Sequence, residues 1–296
     1  MSKNSFFSGN LLIKSRSRLL DLGIPKLMSI FNLTPDSFHD GGIFNNIPLL
    51  LKRAEIDISN GATILDLGAC SSRPRANEVS IEVEWERLLP ALRSIRKEFP
   101  EIFISIDTYR SVIAARSAQE GADLINDISA GSLDSEMMNE VAKTELPYII
   151  MHMRGNPTTM MLQTEYADIC LELITYFRDK ITEAERAGIR DIIIDPGFGF
   201  AKTLQQNYEL LARMGELRIL EKPIMAGISR KSMVYKLLET DHVHALNGST
   251  AAHIIALQNG ASLLRVHDIK EAAEALKIWQ ACEPFSNANF QMHKKN

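Results

Sequence analysis

The sequence predicts an α/β fold of one domain, a (β/α)8 or TIM barrel, on three observations. Eight short apolar or β-branched runs each end in polar residues. Stretches of 3.6-residue periodicity lie between them, as amphipathic helices require. Helical stretches stop at Gly61-Ala62, Gly121-Ala122, Gly188-Ile189 and Gly260-Ala261, just ahead of the next run. Strands alternating with helices imply parallel pairing with right-handed crossovers. No composition break divides the 296 residues. An open doubly wound sheet is the structural alternative.

The elements follow in order. Residues 1–25 are an extension, expected as a hairpin under the barrel, and 26–282 are the barrel. Its strands are read at 26–32 (KLMSIFN), 63–69 (TILDLGA), 102–108 (IFISIDT) and 124–129 (LINDIS). The second half supplies 148–153 (YIIMHM), 191–197 (DIIIDPG), 223–229 (PIMAGIS) and 263–268 (LLRVHD). Between them, Leu50, Ala54 and Ile58 share one helical stripe, a second helix runs to Phe99, and a long amphipathic one ends at Gly188. Residues 283–296 are a tail expected to fray.

Composition narrows the function. An apolar share of 45% with 24% charged residues is that of a soluble globular chain. A net charge of −4 and a pI near 6.0 give no pull toward nucleic acid or anionic lipid. No apolar run reaches the ~18 residues of a membrane span. Three cysteines, Cys70, Cys170 and Cys282, contain no CxxC pair and suit a reducing cytoplasm. The basic, acid-free start lacks a signal peptide's continuous apolar core, and an organellar transit peptide stays open as an alternative.

Chemistry in such a barrel gathers at the carboxyl ends of the strands. Asn32, Asp107, Asn126, His152, Asp195, Ser229-Arg230-Lys231, Arg265 and His267 all fall there, and Ser72-Arg73 follow the second strand. Asp195 closes a run of three isoleucines, where a charge is costly unless something pairs with it. Two carboxylates and an amide suit a flat heterocycle that offers adjacent N–H donors, because an ionised carboxylate only accepts. Lys231 would serve that ring's acceptors, while Arg73, Arg265 and His267 suit an anion such as phosphate. Asn32 offers a neutral oxygen to a magnesium ion that keeps most of its waters. No nucleophile triad, HExxH or CxxC pattern is present. GFGFAKT is not a P-loop, because Ala201 stands where the glycine before the lysine belongs.

These segments carry a resemblance. FNLTPDSFHDGG, DLGACSSRPRA, SIDTYR, INDIS, MHMRGNPTTM, DPGFGFAKT, GISRKS and RVHD occur in the order found in the dihydropteroate synthase family. The chain resembles that family from about Lys26 to Ala281. The resemblance implies a transferase of folate biosynthesis that joins 6-hydroxymethyl-7,8-dihydropterin diphosphate to 4-aminobenzoate. It implies pterin contacts at Asp107, Asn126, Asp195 and Lys231, with Met151 packing on the pterin or filling the barrel. Diphosphate and magnesium would meet Asn32, Ser72, Arg265 and His267, with Mg2+ as cofactor, and Val266 would be among the substrate-binding residues. Aminobenzoate would meet Ser72, Arg73, Pro74, Phe200 and Ser232. Asp107, Asp195, Lys231, Arg265 and His267 would carry the chemistry, and a homodimer is implied.

Some positions depart from the commoner family form. Ala69-Cys70 replace Gly-Glu, Ser72 replaces Thr, and Arg75 replaces Gly. Ala201 replaces a glycine, a modest change for a right-handed backbone. A pterin-dependent methyltransferase shares barrel and pocket but has no use for a diphosphate site. A non-catalytic paralogue would lack polar residues at the strand ends.

Overall fold

The computed structural model describes residues 11–34, 46–70 and 79–286. Its chain order is β1 (Leu12–Ser15), β2 (Arg18–Asp21), β3 (Lys26–Asn32), α1 (Ile47–Ser59), β4 (Ile64–Gly68), α2 (Ile81–Glu98) and β5 (Phe103–Asp107). There follow α3 (Ser111–Gln119), β6 (Leu124–Asp127), α4 (Met137–Thr144), β7 (Tyr148–Met151), α5 (Ile169–Ala187) and β8 (Ile192–Asp195). The last elements are α6 (Leu204–Arg213), β9 (Ile224–Ala226), α7 (Ser232–Leu237), α8 (Leu246–Gln258), β10 (Ala261–Val266) and α9 (Ile269–Ser286). Strands β3 to β10 close in the order β10-β3-β4-β5-β6-β7-β8-β9, every pair parallel. Closure decides against the open sheet.

Local chemistry sets the element ends. Asn46, Ser80, Asp168 and Thr203 cap α1, α2, α5 and α6 by accepting a backbone N–H three residues on. Gly61, Gly121, Gly188 and Gly260 all take positive φ, 93° to 108°, as they turn the chain from helix to strand. That region is barred to most side chains, which is why glycine stands at the stops.

Alternation along the strands sorts the side chains. One set packs outward against the helices, from Phe31 and Leu65 through Ile104 and Ile150 to Leu264. The other points inward and stacks in levels. The lowest level is Met28, Ile64, Phe103, Leu124, Ile149, Ile193, Met225 and Leu263. Ile13, Leu20 and Leu22 of the β1–β2 hairpin pack on that level and cover the amino end. Ser15 Oγ donates to the Asp123 carbonyl at 2.7 Å, and the Arg18 guanidinium meets Asp123 at 2.7 Å. Two residues further along, five of the eight strands turn polar inward, with Asp66, Ser105, Asn126, Asp195 and Arg265, while the others carry Ile30, Met151 and Gly227.

Candidate active site

The carboxyl end of the barrel opens into a cavity of about 800 Å3. Its wall holds Asp107, Asn126, Asp195, Lys231, Arg265 and His267, with Met151, Phe200 and Ser232 beside them. Five of the first six come from the ends of β5, β6, β8 and β10 or the residue just past it, and Lys231 follows β9. One small molecule can therefore touch all six.

Arg265 organises one side. Its Nε donates to Asp66 Oδ2 at 2.6 Å and its Nη2 to Asp107 Oδ2 at 2.6 Å. Asn126 Nδ2 donates to the same Asp66 oxygen at 3.1 Å. Burial pushes the Asp107 carboxyl up to about 7, against the pull of Arg265 and with help from the negative charge of Asp66. Gly68 leaves room beside it: a Cβ there would lie 3.4 Å from that of Asp107.

Asp195 and Lys231 form the other side. Asp195 Oδ1 accepts from the Gly197 N–H at 2.8 Å, and burial raises its pKa while the Lys231 charge opposes the shift. Lys231 Nζ donates to the Phe198 carbonyl at 2.6 Å and lies 4.9 Å from the centre of the Phe200 ring. Burial lowers its pKa to about 8, with Asp195 pulling it back up. A Cβ on Gly227 would stand 3.7 Å from Lys231 Nζ and 3.8 Å from Asp195 Oδ2. Glycine keeps the space between acid and amine clear for a ligand.

The segment from Asp195 to Thr203 is pinned from below by Lys202. Its Nζ lies 2.9 Å from the Gly197 carbonyl, 2.9 Å from that of Phe200 and 3.0 Å from His152 Nδ1. Burial pushes both Lys202 and His152 well below their ordinary values. His152 is thus a packed histidine beneath the site. Gly197 has φ +70°, and a Cβ there would sit 2.2 Å from the His152 carbonyl oxygen, so no side chain fits.

Ala201 corrects an expectation. Its φ is +50°, in the left-handed region, so its change from glycine is not the modest one a right-handed backbone allows. That conformation costs roughly 1–2 kcal/mol for a residue with a Cβ. Against it, the methyl is fully buried among Ile128, Met151, Met153 and Met160, a gain of about 0.8 kcal/mol. The Tyr166 hydroxyl also donates to the Ala201 carbonyl at 2.9 Å. Strain and packing nearly offset, so Ala201→Gly is expected to change unfolding free energy by less than about 1 kcal/mol in urea denaturation. A larger shift in either direction would mean one of them dominates.

Some expected site residues stand elsewhere. The Val266 side chain is buried in the outer, helix-facing layer, because alternation turns it away from the cavity that Arg265 and His267 face. Asn32 ends β3 beside Gly68 on the rim, outside the cavity's wall. Ser72, Arg73 and Pro74, like the 283–296 tail beyond Ser286, lie outside the described residues. Arg230 does line the cavity, but its guanidinium is held by Asp268 through two bonds of 2.7 and 2.8 Å. Burial raises the Cys70 thiol pKa, which favours an unreactive thiol.

Sequence reasoning passed over Asp66 and Lys202. Asp66 carried one signal, an acid at the centre of the apolar run TILDLGA. Lys202 carried none that separates it from a surface lysine.

Comparison with known proteins agrees with this geometry. The sequence profile of the family described as pterin binding enzyme matches residues 28–267. Dihydropteroate synthase of Escherichia coli (strain K12) is 44% identical over 264 residues, covering 88% of this chain and 93% of that protein. The enzyme of the same name from Synechocystis sp. is 41% identical, covering 86% and 89%. Among solved structures, Yersinia pestis dihydropteroate synthase with a sulfonamide drug complex aligns with a TM-score of 0.89 at 40% identity, covering 92% and 99%. The Xanthomonas albilineans enzyme with 4-aminobenzoic acid aligns with a TM-score of 0.85 at 34% identity, covering 93% and 98%. The chain belongs to the pterin-binding enzyme family, among the dihydropteroate synthases.

Proposed function

We propose that the chain condenses 6-hydroxymethyl-7,8-dihydropterin diphosphate with 4-aminobenzoate, giving 7,8-dihydropteroate and diphosphate in folate biosynthesis. One observation carries the reading: two carboxylates, an amide, a lysine and an arginine from different strand ends meet in one cavity. Asp195 and Asn126 accept from the N–H edge of the pterin, and Lys231 donates to its ring acceptors. Arg265 and His267 face the diphosphate.

The residues then account for the chemistry. The bond from the exocyclic CH2 to oxygen breaks, its electron pair leaving with diphosphate. Positive charge spreads from that carbon into the ring, where Asp107 and Asp195 stabilise it, while Arg265 and His267 stabilise the departing anion. The aminobenzoate nitrogen attacks as a neutral amine and sheds its extra proton afterwards, so no strong protein base is needed. Phe200 and Ser232 on the wall, with Ser72, Arg73 and Pro74, receive the aminobenzoate. Walls of Met151 and Phe200 help keep water from the cationic carbon.

A magnesium ion fits this donor set only in a particular way. Among the described residues no group of three His, Cys, Asp or Glu could hold a metal, and Asn32 supplies one neutral oxygen. Mg2+ held by Asn32, its own waters and the diphosphate would supply charge neutralisation on the leaving group.

Two coarser matters belong to the same reading. No described helix is long and apolar enough to cross a membrane, and all three cysteines are free, which supports a reducing cytoplasm. Exposed Leu237 at the end of α7, Leu238 and Val243 beyond it, and Ile255 on α8 are apolar surface that supports a homodimer.

The deciding experiment measures diphosphate release with and without 4-aminobenzoate and magnesium. Release that ignores aminobenzoate, or methyl transfer from methyltetrahydrofolate instead, would reject the assignment. Asp107→Asn is expected to lower turnover roughly 100-fold. It should also remove the rise of kcat/KM with pH near 7 that deprotonation of Asp107 produces. Wild-type turnover in that variant would remove Asp107 from the mechanism.

A further inference from the structure

Asp66 is fully buried and forms no part of the cavity wall, yet two residues of that wall depend on it. Its Oδ2 accepts from Arg265 Nε at 2.6 Å and from Asn126 Nδ2 at 3.1 Å. Among the described residues its Oδ1 has no hydrogen-bond partner. A carboxylate in an ion pair has no proton to give, so the Asn126 amide can face it only through its NH2 group. The opposite end of that amide, the carbonyl Oδ1, is then the end left for the cavity. The chemistry of the pair fixes this orientation, whichever way an amide is drawn.

We infer that Asp66 is a specificity-determining positioning residue, which locks Asn126 as a hydrogen-bond acceptor toward the heterocycle. The inference rests on the pterin reading and deepens it. With Asn126 held this way, the wall offers acceptors from both Asn126 and Asp195, and the two together select a ring edge carrying N–H donors. A ring presenting a carbonyl at the same place meets oxygen against oxygen. A buried polar mismatch of that kind discriminates far more strongly than a lost apolar contact. Arg265 gains the second benefit, since Asp66 holds its Nε while Asp107 takes the Nη2.

The test uses two probes that differ along the ring edge at C2 and the adjoining N1: 6-hydroxymethylpterin, with a 2-amino donor and a bare N1, and 6-hydroxymethyllumazine, with a 2-oxo acceptor and a proton on N1. Affinities are measured by calorimetry on the full chain. Wild type is expected to prefer the pterin by about 100-fold. Asp66→Asn supplies an amide that pairs with Asn126 in either orientation, so the preference should narrow by roughly 10-fold. Asp66→Ser, whose hydroxyl can donate or accept, should narrow it likewise and serves if the first variant does not fold. A purely structural role would weaken both probes together, so an unchanged ratio overturns the inference. In an Asn126→Ala background, Asp66→Asn should leave the ratio where it stands; further narrowing there would show that Asp66 acts by another route. Wild-type protein that binds neither probe sinks the pterin reading itself, a failure distinct from a wild-type preference that survives in the Asp66 variants.

Discussion

Arg265→Met is expected to abolish useful turnover and to cost about 3–5 kcal/mol of stability, the range for breaking a buried ion pair. The reason is the number of charges that converge on one guanidinium. Asp66 is fully buried and the Asp107 side chain is 18% exposed, and Arg265 is the cation that bonds both. Without it, two neighbouring carboxylates must take protons or repel each other in a medium that solvates neither well. Burial already holds Asp107 near 7 with Arg265 present. Removing the arginine drives it higher, so at neutral pH the acid that should stabilise the cationic carbon is neutral. Turnover should fall by about 1,000-fold or more as that charge and the anion contact vanish together. Urea denaturation and the diphosphate assay read the two effects separately. Arg265→Lys restores a charge without the two-pronged geometry, so it should recover part of the stability and little of the rate. A methionine variant as stable as wild type would show that the paired carboxylates do not need this partner.

Lys231→Ala is expected to weaken pterin-diphosphate binding by roughly 10- to 100-fold, the loss of one charged hydrogen bond of about 1.5–3 kcal/mol. The amine stands between the Phe198 carbonyl and the Phe200 ring, opposite Asp195. Its pKa of about 8 has a kinetic consequence. In wild type, kcat/KM should rise through about pH 7 as Asp107 ionises and fall above about pH 8 as Lys231 loses its proton. The alanine variant should keep the rising limb and lose the falling one. Calorimetry with the pterin diphosphate and a pH series of initial rates check the two parts. Affinity within twofold of wild type, or a falling limb that persists, would take Lys231 out of the binding site.

The barrel was legible because its signals are local. Each strand shows as an apolar or β-branched run, four helix stops show as glycines, and all eight strands stand within a few residues of where the runs place them. β10 begins at Ala261, two residues before the run LLRVHD. Strand β8 ends at Asp195 instead of Gly197, because Asp195 takes the Gly197 N–H through its own side chain and turns the chain out of the sheet. Eight of the polar strand-end residues line one cavity, since a closed parallel barrel directs every carboxyl end to the same mouth. Within RVHD, strand alternation puts the Val266 side chain on the helix-facing side and Arg265 and His267 on the cavity side.

Residue types and their spacing along the chain thus sufficed to name the fold and the kind of ligand, because periodicity and charge type are written in short segments. The partners of each polar atom were decided by closure, as in the contact between Arg265 and Asp66 across 199 positions of sequence. The same is true of the left-handed turn at Ala201, the burial of Lys202 beneath the loop and the facing of the Asn126 amide. Those properties belong to pairs of groups that folding alone brings together, and a hydrogen bond's donor and acceptor are defined only once both are in place.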